Sequence, residues 1–250
     1  MVIKDAARTL VPGRGDPHGP LPPLLIVLTF VTGLVDAVSF LKLGPNVFVA
    51  NMTGNIVFLG FAIAGATNIS LLTSVVAVVA FLLGALGGGR LANRFAEHRG
   101  RMLAAATLIE AALVAISLAL VVGFGADRST TSATAHYALI ALLALAMGVQ
   151  NATVARRMGV PDLTTSVLTL TLTGLAGDSR LAGGEGPRPG RRLLAVGSMF
   201  AGALVGGLLV LKVSVGIAIS LALAGGLLLL TMLIVLYFSR GAALWAMRPS

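Results

Sequence analysis

Between residues 24 and 238 the chain is a succession of apolar runs, each near the length of a membrane crossing and separated by short polar breaks. A hydrocarbon core needs a helix of about 20 mostly apolar residues. Read as helices, the runs fall at 24–42, 46–66, 71–92, 102–123, 136–155, 162–177, 193–211 and 214–238. The last two form one stretch broken only by Lys212, too long for a single crossing, so a hairpin is expected near Lys212-Val213-Ser214. The run at 162–177 is short and rich in Thr, and it also reads as a half-helix or re-entrant piece. The expected fold is an all-α polytopic transmembrane helical bundle of about eight spans, with six or seven as the alternatives.

Charged residues make up 11% of the chain and hydrophobic ones 57%, whereas soluble domains carry about 25% charged residues. With no cysteine there is no disulfide framework, thiolate nucleophile or thiolate metal site. His18, His98 and His136 have no metal-ligand spacing, so neither a metal nor a cofactor is expected. The net charge of +9 is scattered among the loops, which suits anionic lipid headgroups better than nucleic acid. No P-loop or dinucleotide-binding glycine pattern is present. Ser39-Phe40-Leu41-Lys42 fits a hydrolase pattern, but four common residue types carry little information. The chain is not read as an enzyme.

Residues 1–21 mix charge, Pro and Gly without periodicity and read as a flexible tail rather than a cleavable signal. Pro22 and Pro23 suit a first helical turn. One transmembrane domain over 22–238 and a C-terminal tail over 239–250 complete the organisation. The domain reads as two similar halves, 24–123 and 136–238. Gly33-Leu34-Val35-Asp36-Ala37 matches Gly148-Val149-Gln150-Asn151-Ala152 at an offset of 115, and Thr53-Gly54 matches Thr173-Gly174 at 120. Gly84-Ala85-Leu86-Gly87-Gly88 matches Gly202-Ala203-Leu204-Val205-Gly206 at 118. Four crossings per half would make the copies parallel; an odd number would invert them. On eight spans, Lys and Arg divide almost evenly between the two faces, and the basic segments 90–101 and 180–192 fall on opposite ones. That division leaves the orientation open and argues against the span count.

Polar residues inside the runs are the candidate site, because such groups are costly in a bilayer and usually face protein or a wet cavity. Asp36 has Thr32 and Ser39 on its own helical face. A carboxylate so placed can exchange a proton with a pathway, or can serve as interhelical glue. Asn51 and Asn55, with Thr53 between them, lie beyond a break at Gly44-Pro45-Asn46, so a hairpin brings them to the depth of Asp36. Amides supply donors and acceptors, which suits a neutral or zwitterionic solute or a dehydrated cation. Gln150 and Asn151 face a similar turn in the second half, followed by a hydroxyl stripe at Thr165, Thr169 and Thr173. Asp162 suits a helix N-cap there. Glu110 sits near the middle of an Ala-rich run with no partner suggested by spacing. Gly84, Gly88, Gly202 and Gly206 have the GxxxG spacing of close-packed membrane helices.

The stretches TGLVDAVSFLKLGPNVFVANMTGNIVFLG, GALGGGRLANR and AMGVQNATVARRMGVPDLTTSVLTLTLTGLAGDS closely resemble the YoaK-like family of bacterial integral membrane proteins, a domain of unknown function. The resemblance extends over nearly all of 24–238. It implies a multi-pass protein of the bacterial cytoplasmic membrane with six or more spans, and it brings no catalytic residues. The leading functional expectation is a small secondary transporter of a small polar solute, proton-coupled through Asp36. The rival is a non-transporting scaffold or partner subunit whose buried polar groups serve packing. Expected partners are the lipid bilayer, a small polar solute and the proton; the oligomeric state is not legible.

Overall fold

The computed structural model describes residues 2–13, 16–44, 46–124, 133–155, 158–160, 163, 168–184, 188–239 and 244–246. A short helix, α1 (Val2–Leu10), precedes α2 (Leu21–Val38), whose first turn holds Pro22 and Pro23. A π-helical turn, Ser39–Leu43, extends α2 and ends at Gly44, which is fully extended. Then follow α3 (Met52–Ile63), α4 (Leu71–Arg94), α5 (Arg99–Phe124) and α6 (Ala133–Gln150), the last extended by a second π-helical turn, Asn151–Ala155. α7 (Leu168–Gly177), α8 (Pro189–Lys212) and α9 (Gly216–Phe238) complete the order. α8 stops at Lys212 and Val213 is extended, which forms the hairpin into α9.

Six of these helices are long and apolar enough to cross a membrane: α2 with its π turn, α4, α5, α6, α8 and α9. The eight-span reading is corrected by length. α3 has 12 residues and α7 has 10, hence about 18 and 15 Å at 1.5 Å per residue, against a core about 30 Å thick.

α3 belongs to a re-entrant excursion. Asn46 Nδ2 donates to the Asn68 carbonyl at 3.4 Å, and Gly44 lies against the Thr73 side chain. Both ends of the 44–70 segment are therefore at the same end of the bundle. Its middle dips inward, where the N–H groups of Val49 and Ala50 reach Asp36, seven residues before the end of the π turn. Asn51 caps α3, its Oδ1 accepting from Gly54 N at 3.3 Å, so the half-helix starts in the interior and runs back out.

The spans pack in pairs, α2 on α8, α4 on α6 and α5 on α9. The first two pairs are made by glycine. A Cβ on Gly33 would overlap the Met199 carbonyl and one on Gly202 the Phe30 carbonyl. Ser198 against Ile26, Gly202 against Phe30 and Gly206 against Leu34 advance together, so α2 and α8 are parallel. Likewise Gly148 abuts the Phe81 carbonyl and Gly84 the Leu145 carbonyl, and because Gly88, one turn on, meets Val149, one turn on, α4 and α6 are parallel. Gly88 lies against Val149 and Ala152, and Gly206 against Leu34 and Ala37. α5 and α9 are antiparallel, with Val114 near Gly225 and Gly100 near Ser239. Without side chains at these points the backbones approach closely enough for dispersion contacts to hold the pairs, the usual device where lipid offers no hydrophobic contrast.

Two further differences from the sequence reading follow. The N-terminal stretch expected as a flexible tail contains α1, which packs on α8: Gly190 fits against the Val2 carbonyl, and Asp5 Oδ2 accepts from Arg191 N at 3.1 Å. In the C-terminal stretch, Trp245 is buried and lies over Gly19. With six spans the charge conflict also vanishes. By position in the sequence relative to the six spans, all but three of the 18 Lys and Arg fall to the N-terminal side; the exceptions are Lys42, Arg128 and Lys212.

Candidate functional site

The site begins with Asp36, which is 6% exposed on α2. Its Oδ1 accepts from Val49 N at 3.0 Å and Ala50 N at 2.8 Å, and the Asn51 N–H is bonded to the same carboxylate. Successive backbone N–H groups converging on an anion form a nest, here at the positive end of half-helix α3. An apolar run with one carboxylate does not announce this partner, because amide groups leave no side-chain signature. The flanking hydroxyls bond elsewhere. Ser39 Oγ donates to the Asp36 carbonyl at 3.1 Å and Thr32 Oγ1 to the Leu28 carbonyl at 3.0 Å.

Asn55 is fully buried and does not reach Asp36. Its Oδ1 accepts from Phe48 N at 3.0 Å and its Nδ2 donates to the Phe48 carbonyl at 2.7 Å. The amide thus replaces a β-ladder partner for a loop residue in an apolar setting. Phe40, Phe48 and Phe58 stack beside it, with the Phe40 and Phe48 centroids 4.8 Å apart and those of Phe48 and Phe58 5.8 Å apart. Asn51 serves as the cap, and Thr53 is exposed on the outer face of α3, away from the interior expected for it.

The second half contributes Gln150, 2% exposed near the end of α6. Its Nε2 donates to Thr32 Oγ1 at 2.9 Å, which ties α6 to α2 one turn from Asp36. Gln150 Oε1 is buried and has no hydrogen-bond partner among the described residues. Asn151 opens the π turn beside it and is half-buried. The hydroxyl stripe does not face this centre: Thr169 and Thr173 are exposed, Thr171 is the buried one, and Thr165 and Asp162 lie outside the described residues. Glu110 is fully buried on α5, and neither carboxylate oxygen has a partner among the described residues. Gly84, Gly88, Gly202 and Gly206 are buried on their helix-pair faces. Among the described residues no group of three His, Cys, Asp or Glu could hold a metal ion.

A polytopic helical bundle with short helices set among its spans and a closed polar centre defines a multi-pass integral membrane protein. The profile of the family described as "Protein of unknown function (DUF1275)" matches residues 24–234, and the chain belongs to that family. It is 33% identical over 155 residues to the UPF0700 transmembrane protein YoaK of Bacillus subtilis (strain 168), a match covering 62% of this chain and 65% of that one. No solved structure matches significantly.

Proposed function

We propose that the chain is a secondary transporter of a small polar solute, built from two inverted copies of a three-span unit that includes one half-helix. The observation that carries this reading is the re-entrant segment 44–63, whose half-helix starts beside Asp36 inside the bundle. Inverted repeats with broken helices at the midplane are a recurring transporter architecture. The repeat reading draws on the glycine contacts. Gly33 and Gly148 differ by 115 positions, and so do the Phe30 and Leu145 carbonyls that Gly202 and Gly84 abut. Three spans per half would invert the second copy.

The solute is neutral or cationic and bears hydrogen-bond donors. Asp36 already fills the amide nest, so no anion is accommodated there, while the Gln150 carbonyl oxygen is a buried acceptor one turn away. The enrichment of Lys and Arg on the N-terminal side supports a cytoplasmic N-terminus. Because Asp36, Asn55 and Gln150 are all closed off, transport requires movement of the α3 hairpin or of one half against the other.

A second reading, a scaffold or partner subunit, is favoured by one observation: Asp36 and Asn55 spend their hydrogen bonds on the protein's own backbone. Purified protein in vesicles, screened for uptake of polyols, amino acids and amines at two pH values, separates the readings. Saturable uptake of at least one solute, lost in Gln150→Leu, is the expected result. No uptake from any class, with no solute raising the melting temperature, supports the scaffold.

A further inference from the structure

Among the described residues, Glu110 is the buried carboxylate left with both oxygens unpartnered. It lies near the middle of the α5 span and is fully buried. Among the described residues the neighbouring elements supply no counter-charge at its depth. α9, which packs antiparallel along α5, carries Tyr237 near its C-terminus as its one titratable group. α6 has His136 and Tyr137 in its first turns, α4 has Arg90 and Arg94 at its end, and the turns Asn151–Ala155 and Leu244–Ala246 have none. On α5 itself, Arg99 and Arg101 lie in the first turn, more than two turns away. Asp36, by contrast, is held by backbone amides.

An ionised carboxylate with both oxygens unsatisfied is among the most costly groups to bury, whereas the neutral acid needs only modest compensation. Glu110 lies one turn before Val114, which meets Gly225 of α9, so it shares the face of α5 turned to that helix; hydroxyls are scattered along the two helices. Thr107 and Ser117 donate to carbonyls of their own helix at 2.9 Å, and Ser220 of α9 is buried with its Oγ unpartnered. α5 and α9 meet where the two halves would be related by their inversion, so a group on this seam senses relative movement of the halves. We infer that Glu110 is a proton-binding site in the α5–α9 seam, occupied when the seam is closed and able to release its proton when movement of the halves admits water. What the proton does there rests on the transporter reading; that Glu110 binds it does not.

A lipid-soluble carbodiimide, dicyclohexylcarbodiimide, tests the two parts separately. A protonated carboxyl transfers its proton to a carbodiimide nitrogen, its oxygen adds to the central carbon, and acyl migration leaves a stable N-acylurea. With the intact protein in vesicles and peptide mass readout, Glu110 should be modified, faster in mildly acidic than in alkaline buffer. Glu110→Asp should retain the label and Glu110→Gln should lose it, both variants keeping the wild-type elution profile. Absence of label at Glu110 in the folded protein, or labelling at a rate independent of pH, overturns the site. If Glu110 labels and pH-driven uptake of a transported solute survives in Glu110→Gln, the site stands and its coupling role fails. If Glu110 labels and no solute moves at all, the transporter reading fails instead.

Discussion

Removing the Asn55 amide would leave the N–H and C=O of Phe48 without partners in an apolar interior. Each orphaned buried group costs about 1–3 kcal/mol, so Asn55→Ala, which orphans two, should lower stability by about 2–6 kcal/mol. Asn55→Asp, which keeps one acceptor and loses the donor, should fall between. Chemical denaturation in detergent micelles measures this; a loss below about 0.5 kcal/mol would mean that Asn55 does not hold the loop. Residue-level legibility followed the same chemistry. Asp36, Gln150 and Glu110 stand out in the sequence as polar groups in apolar runs, and all three are buried. What Asp36 bonds to was not legible, because three consecutive backbone amides look like any other residues. The Thr stripe misled for a different reason: a spacing of four defines a face but not its direction, and Thr171 rather than Thr169 or Thr173 turns inward.

Helix pairing depends on positions where no Cβ is tolerated. Gly84 and Gly202 each sit against a carbonyl oxygen of the facing helix, whereas Gly87 has nothing within 4 Å. Gly84→Leu and Gly202→Leu should each destabilise the fold by at least the 1–3 kcal/mol typical of overpacking, because the obstacle is backbone and cannot rotate away. Gly87→Leu, pointing to lipid, should be nearly silent. Melting temperatures of the three variants decide it, and equal effects at all three positions would contradict the pairing. The spacing of these glycines was readable from the sequence; which helix each one meets was not, since Gly and Ala recur throughout membrane spans. Element length was the chief error. The run at 46–66 is apolar over a full crossing, yet Asn51 caps a helix that begins only at Met52, and Phe48, Val49 and Ala50 before it are non-helical, their backbones partnered by Asn55 and Asp36 instead.

For the molecule as a whole, the number of crossings decides nearly everything else. Six spans gather the basic residues on one side, whereas eight divided them almost evenly. The charge pattern thus agrees with the six helices long enough to span, but in the sequence the apolar run containing α3 outweighed it. Helices suited to a lipid bilayer, the multi-pass class and the all-helical fold followed from composition and run length alone. The absence of cysteine makes the topology easy to test, since any introduced thiol is the only one.

The most direct test of the account places single cysteines at Lys42 and Asn68, on either side of the α3 excursion. Intact cells or sealed right-side-out vesicles are exposed to a membrane-impermeant maleimide, with Glu97→Cys, between α4 and α5, as the opposite-side control. A re-entrant α3 with a cytoplasmic N-terminus predicts labelling of both Lys42→Cys and Asn68→Cys from outside, and of Glu97→Cys only after permeabilisation. Labelling of Lys42→Cys and Asn68→Cys from opposite sides would make α3 a full crossing and would contradict both the six-span architecture and the inversion proposed for its halves.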